Sequence, residues 1–194
     1  MKTNNFILEI GTEELPSSYI NPALKQLEKL FANKLAEMRI GFLQVKTFAT
    51  NRRLVIYITG VNDKQAEKTT EILGPPKNKA YDEKGNLTQV GIGFAKSKEV
   101  DVASIKIKNT PKGEYICILK KELQNPTTKI LSAIIPHIIT SIEFPKSMRW
   151  FDSTRFARPI RWILALYGKN KIKFNVSYVT SDNFTFGHRF LSPS

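Results

Sequence analysis

Phe6-Ile7-Leu8-Glu9-Ile10-Gly11-Thr12-Glu13-Glu14-Leu15-Pro16 is the stretch on which the fold turns. Phe6 to Ile10 is a short apolar run that reads as a buried strand, and Gly11 breaks it. Thr12, Glu13 and Glu14 then place a hydroxyl and two carboxylates where the positive end of a helix is expected to begin. Leu24, Leu27, Leu30, Phe31, Leu35 and Met38 recur at helical spacing. Gly41 stands where a terminating glycine belongs, and Pro22 confines the regular helix to the residues after it or kinks its first turn. Phe42–Ala49 and Arg53–Thr59 then read as two strands joined through Thr50-Asn51, a hairpin rich in β-branched and aromatic residues.

Further along, Gly74-Pro75-Pro76 and Asp82-Glu83-Lys84-Gly85-Asn86 are turn sequences. Thr88 is placed to cap a short helix running to about Lys98. Ile105–Lys108 and Glu114–Leu119 read as a second hairpin through Pro111-Lys112-Gly113. Thr127–Ile142 is apolar along one side and predicts a helix with Pro136 inside it. Strands are expected around Arg161–Tyr167 and Ile172–Val179, with a short one near Phe184–Phe186. Strands, helix, then strands make an α+β chain: mixed, largely antiparallel strands with a few packed helices, in one or two subdomains, with candidate divisions near 60–75 or 122–126.

Composition narrows the function. The chain has 194 residues, 41% of them hydrophobic, with 12 Phe, enough to bury a core. No window approaches the roughly 18 apolar residues of a membrane span, and Glu9 interrupts any signal-peptide core. One cysteine, Cys117, excludes an internal disulfide and a Cys-based zinc cluster. A soluble, cytoplasmic chain that makes no membrane contact is expected. The formal net charge is +13. Residues 1–100 hold 15 basic and 11 acidic groups, whereas residues 101–194 hold 15 and 6. From residue 144 onward, Lys146, Arg149, Arg155, Arg158, Arg161, Lys169, Lys171, Lys173 and Arg189 face only Asp152 and Asp182. Such a cluster repels itself, and a phosphate backbone is its commonest partner; a solvated basic surface is the plain alternative.

No motif assembles a catalytic centre. Gly91-Ile92-Gly93 lacks the third glycine and the preceding strand of a nucleotide-binding loop, and reads as helix packing. Lys146-Ser147-Met148-Arg149 is a faint likeness of a class I synthetase lysine loop, without the His-x-Gly-His partner. His137 lies on an apolar helix, and His188 beside Arg189 is the better ligand candidate; no spacing suits a metal. The standout is cationic residues interleaved with rings: Lys146-Ser147-Met148-Arg149-Trp150-Phe151, then Arg155-Phe156-Ala157-Arg158-Pro159-Ile160-Arg161-Trp162. Guanidinium groups can clamp phosphates while exposed rings stack on unpaired bases. Alternatively Trp150, Phe156 and Trp162 are core and the arginines decorate strand edges; strand alternation would turn Arg161 and Trp162 to opposite faces. Arg52 and Arg53 at the first hairpin turn admit the same two readings. The candidate RNA-facing set is therefore Arg52, Arg53, Lys146, Arg149, Arg155, Arg158, Arg161, His188 and Arg189, and the working expectation is rings inward, arginines outward.

The same stretches carry a resemblance. Glu9-Ile10-Gly11-Thr12-Glu13-Glu14-Leu15-Pro16 resembles the opening of the β subunit of bacterial heterotetrameric glycyl-tRNA synthetase. So does Thr50-Asn51-Arg52-Arg53-Leu54, although Asn51 stands where that family usually has Pro. Matching blocks continue through Gly74-Pro75-Pro76, Gly93-Phe94-Ala95, Lys112-Gly113-Glu114-Tyr115 and Pro145-Lys146-Ser147-Met148-Arg149-Trp150. Arg158-Pro159-Ile160-Arg161-Trp162 and Gly187-His188-Arg189-Phe190-Leu191 complete the series. Family β subunits are much longer, so the resemblance makes residues 1–194 an N-terminal region. It implies an α2β2 ligase that charges tRNA(Gly) with glycine using ATP. The partners are then an α subunit, a second β subunit and tRNA(Gly). Catalysis, with ATP and Mg, is expected in the α subunit, and this chain is expected to be inactive alone, with no cofactor of its own.

Overall fold

The computed structural model describes residues 2–82, 85–111, 113–149 and 154–187. The chain divides into two compact units, one made of Met1–Ala66 with Asn125–Ser194 and the other of Glu67–Gln124.

The first unit is a two-layer arrangement. Its sheet is built on β1 (Thr3–Thr12), flanked by β3 (Arg53–Asn62) and β9 (Ile160–Tyr167), both antiparallel to it. β2 (Gln44–Thr50) pairs with β3 as the expected hairpin, and β12 (Val179–Asp182) adds a parallel edge beside β9. Two-residue strands β10 (Asn170–Lys171) and β11 (Asn175–Val176) complete a seven-stranded sheet. Register explains which residues are inside. Ala49, Leu54, Ile10 and Ile163 form one row across the sheet, Thr47, Ile56, Leu8 and Ala165 the next, and Val45, Ile58, Phe6 and Tyr167 the third. Against this face lie α1 (Ser17–Glu37), through Ala23, Leu27, Phe31 and Leu35, and α4 (Thr127–Thr140), through Leu131, Ile135, Ile138 and Ile139. The α+β expectation, with largely antiparallel strands and a few packed helices, holds.

Several local expectations are corrected. Thr12 ends β1 and α1 begins only at Ser17, with no acidic residue in its first turn, so Thr12, Glu13 and Glu14 cap nothing. Pro22 lies inside α1. The helix closes with Arg39, not Gly41, in the left-handed conformation (φ 56°). Arg39 N–H bonds the Ala36 carbonyl and Ile40 N–H bonds the Leu35 carbonyl, the double closure that favours such a residue. Ile172–Val179 yields two short pieces of strand, and Phe184–Phe186 joins no ladder.

The second unit is a three-stranded sheet ordered β4 (Thr69–Pro76), β6 (Gly113–Lys121), β5 (Ile105–Thr110), with α2 (Lys77–Ala80) and α3 (Gln89–Ser97). Thr88 stands at the N-cap of α3 as expected, but its hydroxyl donates to the Lys79 carbonyl and makes no capping bond to the helix. Gly74 is required by contact: a Cβ there would lie 2.7 Å from the Phe94 ring. The Gly-Pro-Pro block and the Gly-Phe-Ala block therefore meet as glycine and aromatic ring.

Candidate functional site

Thr12–Leu15 leaves β1 and runs between two other blocks. Thr12 N–H donates to the Arg52 carbonyl (2.8 Å) and Leu15 N–H to the Asn51 carbonyl (2.6 Å), on the hairpin-turn side. Glu13 N–H donates to the Pro159 carbonyl (3.0 Å) on the side that opens β9. Backbone hydrogen bonds thus bring the Glu9–Pro16, Thr50–Leu54 and Arg158–Trp162 blocks to one end of the sheet.

Two carboxylates organise that end. Glu13 holds Arg52 (Oε2 to Nη2, 3.3 Å) and Arg161 (Oε1 to Nε, 3.4 Å). Arg161 reaches it because the β1–β9 register skips this residue, Gly11 pairing with Trp162 and Thr12 with Ile160. Arg158 Nε donates to the Glu14 carbonyl at 3.1 Å. Glu9 is 8% exposed, on the face of β1 away from the helices. Its Oε1 accepts from Trp162 Nε1 (2.7 Å) and from the Thr185 hydroxyl, with Arg53 Nη1 at 3.8 Å.

Trp162 lies directly on Gly11, where a Cβ would come within 2.0–2.4 Å of the indole. The Arg53 guanidinium lies 5.4 Å from the indole centroid, a cation–π arrangement. Phe186 meets the indole edge-on at 5.0 Å, and Phe184 meets Phe186 at 5.6 Å. Arg53 also donates to the Phe186 and Gly187 carbonyls, so Phe184–Gly187 is strapped across this end of the sheet.

The nine candidate residues divide accordingly. Arg52, Arg53, Arg158 and Arg161 come together, each engaged by a group of the chain itself. Arg149 and Arg155 face one another across the ribbon of β7 (Met148–Arg149) and β8 (Arg155–Phe156), with exposed Lys146 just ahead of it. Lys146 and Arg155 have no ion-pair partner among the described residues. His188 and Arg189 lie outside the described residues. Lys169 follows the far end of β9 and Lys171 pairs beside Leu166, about 20 Å along the strand from Ile160, so the basic groups do not gather at one end of the sheet. Phe156 and Trp162 are buried, and Trp150 lies outside the described residues.

The sequence reading missed Glu9 and Thr185. The available signal was a lone carboxylate between Leu8 and Ile10, a charge that burial tolerates only when paired. The donor set does not suit Mg2+, because both Glu9 and Glu13 already hold cationic or N–H donors. Among the described residues no three His, Cys, Asp or Glu are grouped to hold a metal ion. No helix among them is long and apolar enough to cross a membrane.

Comparison with known families fits these blocks. The family model described as glycyl-tRNA synthetase beta subunit matches residues 6–194. This chain belongs to the glycyl-tRNA synthetase β-subunit family. Among similar proteins named glycine--tRNA ligase beta subunit, that of Aquifex aeolicus is 44% identical over 98% of this chain and 28% of its own length. That of Syntrophus aciditrophicus is also 44% identical, over 98% and 28%, and that of Desulforamulus reducens 41%, over 97% and 27%. The chain therefore spans just over a quarter of the curated relatives it matches, corresponding to their N-terminal part.

Proposed function

We propose that the chain is a non-catalytic part of a glycyl-tRNA synthetase that contributes to tRNA(Gly) binding and to subunit architecture. A separate α subunit activates glycine with ATP and Mg2+, and a second β subunit completes the α2β2 assembly in the cytoplasm. The observation that carries the tRNA role is the division of the arginines. Four are engaged internally at the Glu9 and Glu13 end, whereas Lys146 and Arg155 project without an ion-pair partner among the described residues. Lys146 and Arg155 are both exposed, and guanidinium and ammonium groups so placed can meet the phosphates of an RNA backbone.

In the α–β complex, Lys146→Ala combined with Arg155→Ala is expected to weaken tRNA(Gly) binding. It should lower the slope of log affinity against log salt by about two. Glycyl-adenylate formation should stay at the parent level. An unchanged affinity and salt slope would remove the ribbon from the tRNA interface.

A purely architectural reading, in which the chain docks other parts of the synthetase without touching RNA, is favoured by a different observation: the sheet face opposite α1 and α4 is open and apolar.

A further inference from the structure

The open face is laid out by strand register in three rows. Lys46, Tyr57, Ile7 and Leu166 form the first. Phe48, Val55, Glu9 and Leu164 form the second, and Thr50, Arg53, Gly11 and Trp162 the third. Phe184–Gly187 crosses the third row and reaches Glu9 in the second through Thr185. The rest stays open: Phe48 is 55% exposed, and Ile7, Val55, Tyr57 and Leu166 are half-buried. With strands about 4.8 Å and rows about 7 Å apart, these side chains span a few hundred Å2, a size at which apolar patches mark interaction sites.

We propose that a later segment of the same β subunit docks apolar side chains on Ile7, Phe48, Val55, Tyr57 and Leu166. This rests on reading the chain as the N-terminal part of a longer subunit, since relatives run more than three times its length. Two observations choose this occupant. Phe184–Gly187 already shows what the face accepts from its own chain: an aromatic ring against Trp162, with backbone carbonyls on Arg53. Within the open rows the charge is small: Lys171 is paired with Asp182 beside Leu166 and Leu164, which leaves Lys46 as the one unpaired cation of those rows among the described residues, while Lys169 and Lys173 lie outside them at the β10 edge. An apolar face with one cation suits a protein segment better than RNA.

The test uses thiol accessibility. Cys117 is buried, and burial, aided by Glu71, pushes its thiol up from the usual range, so it reacts slowly. Phe48→Cys and, separately, Lys46→Cys add one reactive thiol each on the exposed side of an edge strand. N-ethylmaleimide labelling is followed in the 194-residue chain, in the complete β subunit alone, and after adding α subunit or tRNA(Gly). Fast labelling in the 194-residue chain and at least tenfold slower labelling in the complete β subunit alone is the expected result. Equal rates in both would overturn the proposal, as would slowing only with α subunit, only with tRNA, or with rising concentration of the 194-residue chain. Charging of tRNA(Gly) by the α–β complex carrying Lys46→Cys, which leaves the five docking residues intact, reports separately on the synthetase reading. Full charging with fast labelling would sink the docking proposal alone.

Discussion

Glu9 and Glu13 lie four residues apart in one motif and are held very differently. Glu9 is buried and accepts from an indole N–H and a hydroxyl, with a guanidinium beside it. Glu13 is part-exposed between two arginines. Glu9→Gln should cost about 1.5–3 kcal/mol, because buried donors lose a charged acceptor. Glu13→Gln should cost under about 1 kcal/mol, the range of solvent-screened pairs. For a chain of this size each kcal/mol lowers the melting midpoint by roughly 2–4 °C, so thermal unfolding checks the ranking, and equal shifts would contradict it. Gly11→Ala puts a methyl group into the Trp162 ring and should cost about 1–3 kcal/mol by overpacking. Indole fluorescence should shift with it, and an unperturbed spectrum and midpoint would show that the ring can move aside. None of this was legible from residue types alone. A charge inside an apolar run signals a partner, but Trp162 and Thr185 lie 153 and 176 residues away.

At the scale of elements, periodicity carried further. The apolar spacing of α1 and α4 and the β-branched strands of both hairpins were readable because each signal lies within about twenty residues. Helix ends were less readable. Thr12-Glu13-Glu14 has the composition of a helix start, yet β1 continues through Thr12 and tertiary pairing claims the carboxylate of Glu13. Pro22 occupies the sixth position of α1, where it removes the hydrogen bond to the Ser18 carbonyl, and its side chain is exposed. Pro22→Ala is expected to stabilise by about 1–2 kcal/mol, the restored bond outweighing the freer unfolded chain. A raised melting midpoint checks this; a fall would mean that Pro22 sets a bend the core requires.

For the whole molecule, the chain leaves the first unit after Ala66 and returns at Asn125. The two crossings are adjacent: Gln65 N–H donates to the Asn125 carbonyl at 3.2 Å, Asn125 N–H to Gln65 Oε1 at 3.2 Å, and Lys64 bridges Pro126. Excising Glu67–Gln124 and joining Ala66 to Asn125 through a short glycine linker should therefore leave a unit that unfolds cooperatively. Calorimetry checks it, and a broad, non-cooperative transition would show that the first unit depends on the second. Of the excess charge, the first unit holds 19 basic against 9 acidic groups and the second 11 against 8, a difference that composition could reveal only once the units were known. The sequence by itself determined the α+β class, the strands and helices with strong local periodicity, and, through its ordered blocks, the family. Only the tertiary structure decided which arginines are engaged internally and which project, because that depends on carboxylates, carbonyls and rings brought close by strand register across the sheet, and local pattern does not encode register between strands more than a hundred residues apart.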